Sequence, residues 1–179
     1  MAPRLVSLLV ILTSLSACDR EDEITISPSC AEAAEREDLA FLQEEVFTKA
    51  CAFSGCHSGG PGEPPPTLAA GTTLINTVGV QSTLIDEVPL ITPGDPTMSY
   101  LMLIMDNSRP DLIIPSVGLM PFSRTTLCQE KLDSVSRWIS DMNFACSDGV
   151  DNDQDGLIDF DGGDPDCDSA IDDDESSAI

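Results

Sequence analysis

Two cysteines and one histidine in the first half of the chain lie close enough in sequence to act on one ligand. Four residues separate Cys51 from Cys56, and His57, the only histidine of the chain, directly follows the second cysteine. Two thiols can form thioethers with the two vinyl groups of a haem, and an imidazole beside them can bring its Nε2 to the iron. We therefore expect one covalently bound haem c held by Cys51, Cys56 and His57.

The cysteine spacing is longer than the two residues that usually separate such thiols. The intervening segment, Ala52 to Gly55, contains the small residues Ser54 and Gly55, which allow a longer loop to bulge outward. The arrangement Cys-x4-Cys-His resembles a variant found in some bacterial c-type cytochromes, including small cytochromes with a single haem. The similarity to this family extends over about residues 31–143 and includes Pro93-Gly94-Asp95-Pro96 followed by Ser99-Tyr100-Leu101.

The resemblance to cytochromes c implies two further site residues. Met120, followed by Pro121, is expected to provide the second axial ligand of the iron from a loop before the last helix. Pro66 is expected to accept a hydrogen bond from Nδ1 of His57 through its carbonyl and so to orient the imidazole. The methionines on predicted helices are expected to pack in the core instead; they are Met98, Met102, Met105 and Met142.

Helical patterns surround these residues. Apolar spacing predicts a helix over residues 31–50, and Asp95-Pro96 is typical of a helix start before the apolar run Met98 to Met105. A last helix is predicted from about Thr126, with an inward stripe of Leu132, Val135, Trp138, Ile139 and Met142. We expect an all-α, cytochrome c-like domain over residues 31–144 and an acidic, loop-rich extension over residues 145–179.

The N-terminus resembles the signal of a bacterial lipoprotein. The apolar run Leu5 to Leu15 is too short to span a membrane, and the small residues that follow it precede Cys18, as in a lipobox. The resemblance implies a signal peptide over residues 1–17, lipidation of Cys18 and a tether over residues 18–30. The protein is then expected in the bacterial envelope, periplasmic or at the cell surface, with its lipid anchor in a membrane.

The four other cysteines are expected to form disulfides, which an oxidising compartment preserves. Cys30 and Cys128 begin the first and last predicted helices, which pack together in cytochromes c, and this predicts a bridge between them. Cys146 and Cys167 flank an acidic motif and are expected to pair with each other. The sequence leaves two other pairings open, Cys30–Cys146 with Cys128–Cys167, and Cys30–Cys167 with Cys128–Cys146.

The acidic motif has oxygen ligands at alternating positions around a glycine, the pattern of a Ca²⁺ loop. The expected ligands are Asp151, Asp153, Asp155, the carbonyl of Leu157, and Asp159, with Asp161 or Asp164 completing the shell. Gly162 occupies the position that a glutamate fills in an EF-hand, so the loop is not of that type. The alternative is a disordered acidic tail, and the run Asp172 to Glu175 is expected to be solvated.

Charge and composition limit the function. The net charge is −24, and residues 146–179 hold 13 acidic residues but no lysine or arginine, so binding to nucleic acid is not expected. No nucleophile–base pair is evident, because His57, the only histidine, is already assigned to the haem. This favours an electron carrier over an enzyme. Its expected partner is another redox protein. A third interpretation is a haem sensor or the electron-entry subunit of a larger enzyme. The alternative is a haem-free surface lipoprotein with a structural or adhesive role based on Ca²⁺ and disulfides.

Overall fold

The structure is a computed structural model that describes residues 26–106, 118–122, 127–158, 160 and 163–175. The predicted signal peptide and the lipidation site Cys18 lie outside these residues. In the described part, helices and turns dominate, and the extended pairing consists of two isolated bridges, Val78 with Ile91 and Gln81 with Pro89. No helix in that part has the length and apolar character needed to cross a bilayer.

The first predicted helix is divided in two. Helix α1 (Pro28–Ala33) is capped by Ser27, whose hydroxyl accepts the amide of Cys30. Helix α2 (Leu39–Leu42) starts anew because the carboxylate of Asp38 accepts the amide of Phe41 at 2.9 Å. The prediction of one continuous helix over residues 31–50 was therefore wrong, since a second N-cap interrupts it.

Helix α2 continues directly into a π-helix, Gln43–Cys51, which ends at the first cysteine of the candidate site. Its wider turn is seen at the last hydrogen bond, where the amide of Ala52 donates to the carbonyl of Phe47, five residues earlier. Val46, Phe47 and Ala50 are buried on the core side of this helix. The π-helix thus fixes where the chain leaves the core and the loop to Cys56 begins.

Two later helices complete the core. Asp95 caps a short 3₁₀ turn, Pro96–Met98, that leads into α3 (Tyr100–Asp106). Helix α4 (Gln129–Ser140) carries the predicted inward stripe except for Met142, which lies just after the helix. Val135 and Ile139 are fully buried, and the ring of Trp138 meets that of Phe47 edge to face at 5.7 Å. Burial of these side chains holds the π-helix against α4.

The acidic extension packs on the helical domain. It begins with a 3₁₀ turn, Ala145–Ser147, and the amide of Cys146 donates to the carbonyl of Asp172 at 3.0 Å. Gly79 adopts a positive φ of 66°, and a Cβ there would lie 2.6 Å from the Cβ of Ala170. A glycine is therefore required where the extension approaches the domain, and the described part of residues 145–175 is folded against it.

Candidate functional site

Cys51 and Cys56 lie at the two ends of a short loop that follows the π-helix. Both are free thiols, whereas the other four cysteines of the described residues form disulfides. Cys51 is buried and Cys56 is half-buried. Burial, together with the charge of the nearby Cys56, raises the pKa of Cys51 to about 12. In the folded chain Cys51 is therefore a neutral thiol at physiological pH.

His57 is held by hydrogen bonds from its backbone and its ring. Its amide donates to the carbonyl of Cys51 at 3.1 Å, and its carbonyl accepts the amide of Leu68 at 2.8 Å. Ring atom Nδ1 lies 2.9 Å from the carbonyl oxygen of Pro66 and 3.2 Å from that of Pro64. A carbonyl oxygen only accepts, so Nδ1 carries the proton and the lone pair of the neutral ring lies on Nε2.

Glu63 is a positioning residue that the sequence reading did not identify. Its carboxylate spans the loop: Oε1 accepts the amide of Gly55 at 2.7 Å, and Oε2 accepts the hydroxyl of Ser58 at 2.7 Å and the amide of Gly60 at 3.0 Å. The hydroxyl of Ser58, followed by these amides, lowers the pKa of Glu63 to about 2. The sequence did contain a signal, because Glu63 is the only acidic residue in the glycine- and proline-rich segment 58–66 that follows His57.

Glu63→Ala is expected to loosen the loop between the two cysteines. Amide hydrogen exchange at Gly55 and Gly60 should accelerate roughly tenfold, because each amide loses a charged acceptor. The folded pKa lies below the ordinary value of 4.5, so the protection should be complete above that pH and be lost only as the pH falls towards 2. Glu44→Ala, at an exposed position, is the control, and equal exchange in the two variants would contradict the positioning role.

Met120 follows α3 (Tyr100–Asp106) in the chain and lies beside the last turn of that helix. Its amide donates to the carbonyl of Ile104 at 2.8 Å, and its half-buried side chain packs against the same hydrophobic core as Cys51. Met102, Met105 and Met142 are buried in that core, as expected. Met98 is 42% exposed on the 3₁₀ turn, so its assignment to the core was wrong.

The structure contains both predicted disulfides. Cys30–Cys128 links the starts of α1 and α4 with a Cα–Cα distance of 6.2 Å, and Cys146–Cys167 closes the acidic extension with a Cα–Cα distance of 5.7 Å. Each distance falls in the range that an unstrained bridge needs. The two alternative pairings are thereby ruled out, and Cys51 and Cys56 are the thiols that remain in the described part of the chain.

The acidic motif forms a compact group of carboxylates. Oxygens of Asp151, Asp153 and Asp155 lie within 4.8 Å of one another, and so do oxygens of Asp155, Asp164 and Asp166. Leu157 is placed beside them by its amide, which donates to Asp155 at 2.8 Å. Asp159 and Asp161, two other expected ligands, lie outside the described residues.

Glu175 differs from the expectation for the end of the chain. It was predicted to be solvated with Asp172 to Asp174, yet it is only 2% exposed. Its Oε2 accepts the amide of Asn152 at 2.6 Å, inside the acidic loop. The prediction was wrong because a run of acids gives no signal for the one member that turns inward to bind a backbone amide.

Two small cavities lie apart from the cysteine loop. One, of about 270 Å³, is lined by residues near the Cys30–Cys128 bridge, and the other, of about 100 Å³, lies beneath the acidic extension next to Cys146. Neither cavity is lined by Cys51, Cys56 or His57. The candidate site is therefore the loop itself, defined by its thiols, its imidazole and the contacts of Glu63 and Pro66.

Comparison with protein-family models, curated proteins and solved structures gives no match to this chain.

Proposed function

We propose that this protein is an electron carrier that holds one haem through Cys51, Cys56 and His57, in the manner of a c-type cytochrome. The observation that carries the proposal is the contact of His57 Nδ1 with the Pro66 carbonyl, 2.9 Å away. A histidine fixed in this tautomer presents Nε2 as a metal ligand. Two free thiols, Cys56 directly before it and Cys51 six residues before it, complete the donor set that covalent haem attachment requires.

The attachment chemistry balances with these residues alone. Each thiol adds across one vinyl group: a sulfur–carbon bond forms, the vinyl double bond becomes single, and the thiol hydrogen moves to the second vinyl carbon. No oxidant is consumed, but both cysteines must be reduced. Cys51 is buried, so access to its sulfur would require the surrounding core side chains to move.

The surrounding residues have distinct parts in this proposal. Pro66 fixes the tautomer of His57, Glu63 shapes the loop that carries both thiols, and Met120 is the proposed second axial ligand. When bound, the haem supplies one-electron chemistry between ferrous and ferric iron. If His57 and Met120 both held the iron, the group would transfer electrons in preference to binding oxygen.

The proposed setting is the bacterial envelope, with the protein anchored by a lipid at Cys18 and exchanging electrons with another redox protein. A net charge of −24 favours a partner whose docking face is basic, because opposite fields accelerate encounter and select orientation. Both disulfides are consistent with such an oxidising compartment.

The visible spectrum of protein exported by a host that ligates c-type haem tests this function. We expect a Soret band and a pyridine haemochrome that survives acid–acetone extraction, because the pigment is held by thioethers. Colourless protein with a Cys51–Cys56 disulfide would instead support the haem-free structural lipoprotein. Non-covalent colour that the extraction removes would refute the attachment role of the two cysteines.

A further inference from the structure

The acidic extension contains two groups of carboxylates that share one member. Asp155 belongs both to the group with Asp151 and Asp153 and to the group with Asp164 and Asp166, and in each group the oxygens lie within 4.8 Å of one another. The sequence pattern indicated the first group and offered Asp161 or Asp164 to complete its shell, but it gave no sign of Asp166. The second comes from a separate segment that the fold brings back to the loop.

Asp164 has a buried carboxylate oxygen that lacks a hydrogen-bond donor, which indicates a cation site. The residue is 3% exposed, and its Oδ1 accepts the amide of Asp166 at 2.8 Å. Its Oδ2 is fully buried and has no hydrogen-bond partner among the described residues, and the same holds for Oδ1 of Asp151. A buried carboxylate oxygen without a donor is unfavourable unless a cation accompanies it.

The chain offers no basic side chain for this purpose in the extension. Residues 146–179 contain neither lysine nor arginine, and the ion pairs of the described residues join acids of residues 32–45 to Arg36, Lys49, Lys131 or Arg137. Among the described residues no basic side chain pairs with these carboxylates, which favours a cation from solution as the compensating charge. Carboxylate oxygens from several residues are the ligands of hard divalent cations, Ca²⁺ in particular.

Both segments are held in place without the ion. The Cys146–Cys167 disulfide encloses the loop and the returning segment in one ring, and Cys167 directly follows Asp166. The amide of Cys167 donates to the carbonyl of Asp164 at 3.4 Å, and Glu175 holds the loop through the amide of Asn152. Preorganisation of this kind lowers the cost of bringing like charges together before the cation arrives.

We propose that Asp155, Asp164 and Asp166, together with Asp151 and Asp153, form a Ca²⁺ site enclosed by the Cys146–Cys167 disulfide. The site is independent of the haem proposal, because its residues and its ring are separate from the cysteine loop. Binding of the cation and integrity of the ring are then linked at equilibrium: Ca²⁺ should stabilise the disulfide against reduction, and reduction should weaken Ca²⁺ binding by the same factor.

Calorimetric titration of the full-length oxidised protein with Ca²⁺ tests this site. We expect a dissociation constant on the order of 10⁻⁴–10⁻³ M, as in extracellular modules, and a rise in melting temperature at saturation. Asp164→Asn should weaken binding by about tenfold or more, since affinity follows the number of charged ligands. The matched control is Asp173→Asn, at an exposed position of the same extension, which should bind as the parent protein does.

Three results would overturn the proposal. They are no binding at millimolar Ca²⁺, equal weakening by Asp164→Asn and Asp173→Asn, and an affinity of Asp155→Asn for Ca²⁺ that equals that of the parent protein. The equal effect would mean that cations only screen an acidic surface. Asp155→Asn guards against misfolding, because this side chain is exposed yet belongs to both groups. Repeating the titration on Cys51→Ser/Cys56→Ser protein, with the same affinity expected, separates this site from the haem.

Discussion

Exported protein that carries Cys51→Ser and Cys56→Ser together is expected to contain no covalent haem. Each substitution removes the sulfur that forms one thioether, so His57 alone must hold any pigment, and denaturing extraction should release it. The measurement is absorbance of the extracted polypeptide, normalised to protein, beside the parent protein matured in the same host. The expected loss is complete.

The matched control is Ser54→Ala, in the same loop between the two cysteines. Ser54 is exposed, so its hydroxyl can be removed without opening the core. Far-ultraviolet circular dichroism checks that the double variant still folds, because Cys51 is buried and a serine hydroxyl there costs about 1 kcal/mol or more when unsatisfied. Retention of covalent haem by the double variant would contradict the assignment of both thiols.

Removal of the Cys30–Cys128 disulfide is expected to have the largest effect on stability. The bridge spans 98 residues of sequence. Closing a loop of about 100 residues lowers the entropy of the unfolded chain, which raises the free energy of unfolding by about 4.7 kcal/mol. Cys30→Ser/Cys128→Ser should therefore lose about 4 kcal/mol, or about 10 °C in melting temperature. Both cysteines are only half-buried, so serine introduces no buried hydroxyl there.

Thermal unfolding followed by circular dichroism measures this loss. Contacts between the same helices remain in the variant, including the bond from Arg137 to the carbonyl of Ala33 at 2.8 Å, so the native state should persist. Cys146→Ala/Cys167→Ala provides the comparison, because its bridge spans only 21 residues and should contribute less, about 3 kcal/mol, and alanine adds no hydroxyl at these two buried positions. A melting temperature unchanged by Cys30→Ser/Cys128→Ser would show that the bridge does not constrain the unfolded chain.

The elements with strong local signals could be predicted from the sequence. The stripe on α4 has the period of a helix, so Val135, Trp138 and Ile139 are buried as expected. Asp95 followed by Pro96 does begin a helical turn, because the carboxylate caps two amides and the proline needs no donor. Both disulfides were predicted, Cys30–Cys128 from the helix packing that the cytochrome c resemblance implies and Cys146–Cys167 from their places on either side of the acidic motif, although the sequence left two other pairings open.

Features that depend on long-range or inward contacts were not visible in the sequence. The second N-cap at Asp38 and the change to a π-helix occur in the segment that packs against α4. The spacing of apolar residues does not distinguish this broken segment from one long helix. Glu63 and Glu175 are each one acid among many, and only the fold shows which backbone amides they accept. The cytochrome c-like fold and the haem site remain predictions that rest on the residues of the loop.

Mass spectrometry of the peptide that contains Cys51, Cys56 and His57, isolated from protein matured with haem-ligation machinery, tests the central claim most directly. The account predicts that this peptide carries the added mass of one haem, joined through both sulfurs. A peptide of unmodified mass, or one lighter by the two hydrogens of a Cys51–Cys56 disulfide, would contradict it.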